Sequence, residues 1–209
     1  MKTCNRKFFN TKNGFTLAEV LITLVIVGVI ASMTIPTLVH RYKKQEVASK
    51  LKKFYSGMQQ ALNSYLYSES MNAEQLIFPD DTINNYSKSL EFWNNSIGKY
   101  LVTIKKEYVN DAHPRIYLAD GSTFTFRIAY NETMHIFYCI NGSCRGSEDF
   151  DGKNSFLFSI KEGKLYTGLG TDMSRQNCLN NCKREDSRYY CSRLIQMDGW
   201  QIKDDYPWY

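Results

Sequence analysis

The chain has 209 residues, 26 of them basic and 21 acidic, so its formal net charge is +5 at neutral pH. Residues 1–14 hold four of the basic residues and no acid, which leaves 22 basic and 21 acidic residues in the rest of the chain. This near balance excludes a polycationic surface, so we expect no nucleic-acid partner. The length suits one medium-sized domain with an added segment.

The first predicted element is an apolar run, residues 17–39, which is long enough to cross a bilayer of about 30 Å as a helix. Its single charged side chain, Glu19, stands close to its start. A charge is costly inside a membrane and is seldom placed there without a partner. Because a short basic segment precedes the run, we expect that segment to stay in the cytoplasm and the rest of the chain to lie outside it.

The segment Gly14-Phe15-Thr16-Leu17-Ala18-Glu19 resembles the processing site of type IV prepilins and type II secretion pseudopilins. A short basic leader ends at a glycine, a phenylalanine follows, and an acid is the fifth residue after the glycine. Gly28 and Pro36 also stand where pilins of this family commonly carry a helix-loosening glycine and proline. The resemblance implies that prepilin peptidase cuts between Gly14 and Phe15 and methylates the new amine of Phe15. An ordinary signal anchor with a chance glutamate is the other interpretation.

Glu19 itself has two compatible interpretations. Thr16 and Glu19 have the spacing of a capping box, in which the two residues bond reciprocally at the start of a helix. The pilin resemblance implies instead that the Glu19 carboxylate neutralises the Phe15 amine of a neighbouring subunit during filament assembly.

One long helix is predicted from Leu17 to about Glu69. Its second half carries an apolar stripe at helical spacing, formed by Val47, Leu51, Phe54, Met58, Leu62 and Tyr65. This stripe predicts that the second half packs on a following sheet, while the basic residues of 40–53 form a solvated face near lipid headgroups. Gly28 and Pro36 weaken the helix in its first half and predict a kink there, or local melting on assembly.

The remaining residues predict a globular head. A short helix is predicted over residues 89–100, and the strand signals begin at Arg115. The predicted strands are 116–118, 123–128, 136–140, 156–160 and 165–166. Asp120-Gly121 and Glu162-Gly163 separate neighbouring strands and indicate hairpin turns.

The predicted fold class is therefore α+β, with a long N-terminal helix, membrane-spanning in its first half, packed on the antiparallel β-sheet of a head. The pilin resemblance implies the same architecture. The predicted organisation is a leader peptide (1–14), a transmembrane and assembly helix (15–39), the amphipathic second half of the helix (40–70) and a β-rich head (71–209).

Six cysteines are present, and one of them, Cys4, lies in the leader. The head holds the other five, Cys139, Cys144, Cys178, Cys182 and Cys191. A head outside the cytoplasm faces an oxidising compartment, so disulfides are expected. The first two of the five are placed to close a tight hairpin loop. The last two are placed to staple one late loop, although Cys178 is an alternative partner for Cys191. The odd cysteine leaves a free thiol or an intersubunit bridge open.

No metal, cofactor or catalytic group is predicted. A zinc site would need a second ligand pair beside Cys178-x3-Cys182. Residues 149–154 hint at a calcium loop, but Lys153 breaks the pattern, and a polar hairpin loop is the favoured interpretation. The three histidines stand in no recognised catalytic motif, so we expect no enzymatic activity.

These observations predict a structural subunit, a membrane-held prepilin whose mature form polymerises into a type IV pilus or a type II secretion pseudopilus. The resemblance implies four partners: prepilin peptidase, other pilin or pseudopilin subunits, the inner-membrane assembly platform and membrane lipid. The precursor is expected as a single-pass protein of the inner membrane, and the mature subunit as part of an extracellular or periplasmic filament.

The alternative function is that of a minor or tip pilin, whose head binds a surface, DNA or a secreted substrate. The feature that favours it is a C-terminal group of aromatic side chains, formed by Trp200, Tyr206, Trp208 and Tyr209. The other interpretation of these aromatics is a last strand that docks on the head.

Overall fold

The structure, a computed structural model, describes residues 14–82, 85–109, 113–129, 133–142, 144, 150–170 and 172–208. Residues 1–13 of the predicted leader therefore lie outside the described residues. The chain divides into two units between Tyr42 and Lys43.

The described residues contain long and short helices followed by a run of strands. The helices are α1 (Leu17–Ser68), α2 (Tyr86–Asn95), α3 (Arg175–Lys183) and α4 (Cys191–Met197). The strands are β1 (Lys105–Val109), β2 (His113–Tyr117), β3 (Thr123–Ala129), β4 (Thr133–Cys139), β5 (Ser155–Lys161) and β6 (Lys164–Thr167). Short 3-10 turns occupy Ala73–Gln75, Asp80–Thr82, Ile97–Lys99 and Glu185–Tyr190.

The strands form one antiparallel sheet in chain order, from β1 to β6. Both predicted hairpins are present, and the β5–β6 turn has positive φ at Glu162 (49°) and Gly163 (63°), as a type I′ turn requires. A Cβ on Gly163 would lie 2.2 Å from the carbonyl oxygen of Ala73, so only glycine fits this turn. The long helix and the antiparallel sheet confirm the predicted α+β class.

The second half of α1 packs on the sheet through its apolar stripe. Its buried residues are Val47, Ala48, Leu51, Phe54, Met58, Ala61, Leu62 and Leu66. The ring of Phe54 stacks on Tyr138 of β4, with 4.4 Å between ring centroids, and lies 5.0 Å from Phe158 of β5. Tyr65, predicted as part of the stripe, is only partly buried. Helical spacing thus identifies the face that packs on the sheet, and the structure widens it with Ala48, Ala61 and Leu66.

The sequence pattern does not predict β1. Its residues include Lys105, Lys106 and Glu107, and their charges obscure the alternation that identifies a half-buried strand. The strand pairs with β2 at one edge of the sheet. Charged side chains are common on such edges because they discourage pairing with another chain.

The C-terminal region also differs from prediction. The late loop expected around the cysteines consists of α3, a 3-10 turn and α4. The last strand expected for the aromatic residues is wrong for residues 198–208, which are irregular. Positive φ values at Gly199 (70°) and Trp200 (62°) turn the chain after α4. The Tyr206 hydroxyl then donates a 2.6 Å hydrogen bond to the carbonyl oxygen of Gly152, which ties the segment to the β4–β5 connection.

Arg175 links this C-terminal segment to α3 through two carboxylates. Its guanidinium donates hydrogen bonds of 2.6 and 2.8 Å to Asp198 and of 2.8 and 2.9 Å to Asp205. Lys203 lies 2.7 Å from a carboxylate oxygen of Asp198, whose side chain is only 1% exposed. Burial tends to raise the pKa of Asp198, but the hydrogen bonds from Arg175 and Lys203 outweigh it and lower that pKa. The bonds from Arg175 also lower the pKa of Asp205.

We therefore expect the head to lose stability in acid. A carboxyl with a lower pKa in the folded chain stabilises that chain above its unfolded pKa, about 3.9 for aspartate, and the contribution is lost as the pH falls through the folded pKa. The urea midpoint should be nearly constant above about pH 5 and fall below about pH 4. Urea unfolding across this range measures the effect. In Asp205→Asn the urea midpoint should fall less steeply with decreasing pH than in the unmodified chain. In Asp204→Asn, which changes the exposed neighbour, it should fall as steeply as in the unmodified chain. Equal slopes for the two variants would contradict the assignment.

Candidate processing and assembly segment

The bond between Gly14 and Phe15 lies before the first turn of α1. The side chain of Phe15 is 90% exposed. No atom lies within 4 Å of the position that a Cβ on Gly14 would occupy. Both residues of the bond are therefore exposed among the described residues, and a larger residue at position 14 meets no described part of the chain.

Thr16 and Glu19 form the capping box at the start of α1. Glu19 Oε2 accepts hydrogen bonds of 2.8 Å from both the backbone N–H and the hydroxyl of Thr16. The backbone N–H of Glu19 donates a 3.2 Å hydrogen bond to Thr16 Oγ1. Glu19 Oε1 accepts no hydrogen bond from the described residues, so one oxygen of the carboxylate is left for a further donor.

The first half of α1 presents apolar side chains to its surroundings. The exposure of its large apolar residues runs from 80% at Leu17 to 44% at Val39. Within the described residues, α1 is the helix whose length and composition suit a membrane span. Such a surface is unfavourable in water and needs lipid or other apolar helices around it.

Three of the four hydroxyl groups within residues 17–39 have partners on their own helix. Thr23, Ser32 and Thr34 donate hydrogen bonds of 2.9, 2.7 and 3.0 Å to backbone carbonyls one turn earlier. These polar groups are therefore satisfied without water, as an apolar environment requires.

Gly28 and Pro36 both lie inside α1, which is helical through both positions. Pro36 has no N–H to donate, so the helix lacks one backbone hydrogen bond at that turn. No atom lies within 4 Å of a Cβ placed on Gly28. A kink at these residues stays a prediction.

The structure places four head cysteines in disulfides, Cys139–Cys144 and Cys182–Cys191. Cys178 is a buried free thiol. Burial raises the pKa of this thiol, against a smaller lowering effect of Arg193. Because Cys182 is bonded to Cys191, Cys178 and Cys182 do not form a pair of thiolate ligands. The described residues contain no group of three or more His, Cys, Asp or Glu side chains that suits a metal ion.

The loop that hints at calcium uses its carboxylate locally. Asp149 lies outside the described residues. Asp151 Oδ1 accepts hydrogen bonds from the backbone N–H groups of Lys153, Asn154 and Ser155, at 2.8, 2.7 and 2.9 Å. Burial tends to raise the pKa of Asp151, but these hydrogen bonds lower it overall. This carboxylate therefore closes a polar turn.

The head also contains a polar cavity that the sequence does not predict, here named the Arg193 pocket. Its volume is about 350 Å³. The main polar residues that line it are Tyr55, Gln59, Lys164, Asp172, Arg193 and Gln196. They come from four places in the chain: α1, β6, the segment that precedes α3, and α4. No local sequence motif therefore identifies them.

An exposed bond between a glycine and a phenylalanine, a capped acid and a membrane-length apolar helix together define a pilin-type N-terminus. Residues 9–35 match the family model of the prokaryotic N-terminal methylation motif, the signature of type IV prepilins and pseudopilins. The chain is thus a precursor of the type IV pilin or pseudopilin type. The motif implies processing by prepilin peptidase, assembly with other pilins and a membrane-anchored state before assembly.

The rest of the chain identifies the family. Residues 37–168 and 164–209 match the model of a family described as a family of unknown function, DUF6613, and the chain belongs to that family. No curated protein and no solved structure matches the chain.

Proposed function

We propose that the chain is a structural subunit of a type IV pilus or a type II secretion pseudopilus. Prepilin peptidase cuts it between Gly14 and Phe15 and methylates the new amine of Phe15. The mature subunit then leaves the inner membrane through the assembly platform and joins the filament through the first half of α1. The observation that carries this proposal is the exposed apolar first half of α1, residues 17–39, whose only acid, Glu19, stands five residues after Gly14.

Two physical effects support assembly through this helix. Apolar side chains that leave lipid for a bundle of like helices keep an apolar environment and gain close packing contacts. Glu19 Oε1 has no hydrogen-bond partner among the described residues, and the cut creates a cationic amine on Phe15. In an apolar bundle each of these charges needs a partner of opposite sign, so the pair fixes the axial position of one subunit against the next.

The packing of the C-terminal aromatic residues bears on the alternative, a minor or tip pilin with a binding head. Tyr206 is buried, and Trp200 and Trp208 are packed against the core. Tyr209 lies outside the described residues. These rings are thus part of the fold rather than a free binding surface, and the structural-subunit function is favoured.

Two substitutions at Glu19 separate the effect of its charge from the effect of its capping hydrogen bonds. Gln is also suited to the third position of a capping box, so Glu19→Gln keeps the hydrogen bonds to Thr16 and removes the charge. Glu19→Ala removes both. We expect both variants to remain in the membrane and to be cut. The amount of each in sheared filaments should fall at least tenfold, and a tenfold change in an assembly equilibrium corresponds to about 1.4 kcal/mol.

The measurement is an immunoblot of the sheared filaments and of the membrane fraction from the producing cells. Glu46→Gln is the matched control, because Glu46 lies beyond the apolar run and its carboxylate is already paired, 2.9 Å from Lys50 Nζ on the next turn of the helix. Normal filaments from Glu19→Gln, with a loss only in Glu19→Ala, would limit Glu19 to its capping role. Normal filaments from both variants would show that Glu19 has no role in assembly.

A further inference from the structure

The Arg193 pocket brings a cation, amides and aromatic rings to one cavity of the head. Three packed elements form its walls: α1 with Tyr55 and Gln59, β6 with Tyr166, and α4 with Arg193. Ligand sites in proteins are typically concave, about 300–1,000 Å³ in volume, with a few polar groups that set the orientation of the ligand. A volume of about 350 Å³ places this cavity at the lower end of that range.

Arg193 has an incomplete set of hydrogen-bond partners. Its Nε is buried and has no partner, and its Nη1 donates a 3.0 Å hydrogen bond to the amide oxygen of Gln196. Among the described residues, no carboxylate lies within ion-pair distance of its guanidinium. An arginine that is half-buried without an anion is unusual, because a buried N–H without a partner costs free energy. Nη2 makes no hydrogen bond to the described residues either, and a bound anion would supply its acceptor.

Gln196 adds a neutral donor beside this cation. Its amide oxygen accepts both the bond from Arg193 and a 2.6 Å hydrogen bond from the hydroxyl of Thr167. These two bonds fix the amide with its oxygen toward Arg193 and Thr167. The amide nitrogen of Gln196 is therefore left with no partner among the described residues and is a donor for an oxygen of a ligand.

The aromatic part of the wall is held in place by the backbone. A Cβ on Gly170 would lie 2.7 Å from Cγ of Tyr166, and Gly170 has a φ of 73°. Glycine therefore allows the chain to pass directly behind the Tyr166 ring and support it. Tyr55 on α1 is fixed by its contact with Trp200, with 5.3 Å between ring centroids. Two supported aromatic rings provide flat surfaces for the carbon skeleton of a ligand.

The charges of the lining select the charge of that ligand. Arg193 and Lys164 contribute two positive charges, and Asp172 contributes one negative charge. The resulting charge of +1 suits a monoanion. Phosphate groups carry more than one negative charge at neutral pH and would be repelled by Asp172. The planar guanidinium matches a carboxylate, which accepts two parallel hydrogen bonds.

We propose that the Arg193 pocket binds a carboxylate-bearing solute of about monosaccharide size. Arg193 pairs with the carboxylate, Gln196 donates to it or to a neighbouring hydroxyl, and the tyrosine rings contact the carbon skeleton. This proposal concerns the head alone and does not depend on filament assembly.

Calorimetric titration of the full chain in non-ionic detergent, near neutral pH, tests the proposal. The probes are three monocarboxylates, glucuronate, galacturonate and gluconate, with glucose and inorganic phosphate as comparisons. We expect saturable binding of at least one carboxylate in the millimolar range or tighter, and weaker or no binding of glucose and phosphate. Arg193→Gln should weaken carboxylate binding about tenfold or more, because hydrogen bonds between charged groups are among the strongest in proteins.

Arg184→Gln is the matched control, since Arg184 is exposed, paired with Asp186 and absent from the pocket lining. It should bind like the unmodified chain. Lys164→Gln, at an exposed pocket residue, gives a second variant if Arg193→Gln does not fold, and it should weaken binding by a smaller factor. No saturable binding of any of the three carboxylates overturns the proposal. So does equal binding by all the variants, or binding of phosphate in preference to every carboxylate.

Discussion

Replacing Gly14 by valine is expected to leave the chain uncut in cells that contain prepilin peptidase. The unmodified chain should lose residues 1–14 and gain one methyl group on Phe15. The variant should keep its full mass of 24.3 kDa, apart from the substitution, with at least a tenfold lower cut fraction. The physical reason lies at the cut bond, where two methyl groups on the residue before Phe15 hinder the approach of the enzyme and a close fit fails by steric overlap.

Intact-mass spectrometry of the membrane fraction measures this outcome directly. A Cβ on Gly14 lies within 4 Å of no described atom, so the substitution disturbs no contact of the folded chain and reports on cleavage alone. Gly28→Val is the matched control, since Gly28 is equally open but lies inside the helix. It should be cut normally. Removal of the leader from the Gly14→Val chain at the rate of the unmodified chain would contradict the assignment of the cut bond.

Replacing Phe54 by alanine is expected to give the largest loss of stability. Phe54 is 4% exposed, and its ring contacts Phe124, Tyr138 and Phe158 on three neighbouring strands, with centroid distances of 5.4, 4.4 and 5.0 Å. Truncation of a buried phenylalanine leaves a cavity and typically costs about 3–5 kcal/mol. The free energy of unfolding of the head should fall by about that amount.

Urea unfolding of the full chain in non-ionic detergent, followed by tryptophan fluorescence, measures this change; buried Trp93 contributes to the signal together with Trp200 and Trp208. Trp93 reports on the same region because its ring lies 5.5 Å from that of Phe124 and 5.1 Å from that of Phe126. Tyr67→Ala is the control on the same helix, since Tyr67 is 88% exposed and should change stability by less than about 0.5 kcal/mol. Equal midpoints for the two variants would show that the sheet does not depend on Phe54.

The N-terminal part of this protein can be read from local sequence. Membrane length depends only on the number of successive apolar residues, and the capping box depends only on the spacing between Thr16 and Glu19. The extent of α1 follows from the apolar run and from the three- and four-residue repeat after it. The two hairpin turns depend on Asp120-Gly121 and Glu162-Gly163, whose preferred backbone angles are local properties of glycine and its neighbours.

The rest depends on contacts between distant segments. β1 is charged, and it forms a strand because β2 offers a pairing edge. The segment around the late cysteines forms α3 and α4 where the spacing suggests only a loop. The two carboxylates of Arg175 stand 23 and 30 residues after it. No short window of sequence contains both partners of such a contact.

The sequence by itself determined the pilin-type N-terminal motif, the long helix and the hairpins, because each rests on residues within a few turns of one another. The tertiary structure alone decided how Trp200, Tyr206 and Trp208 pack, and it alone formed the Arg175 ion pairs and the Arg193 pocket. These features exist only where α1, β6 and α4 meet, or where the last residues fold back on the head. Their energies come from the burial of charges and rings that the linear sequence leaves far apart.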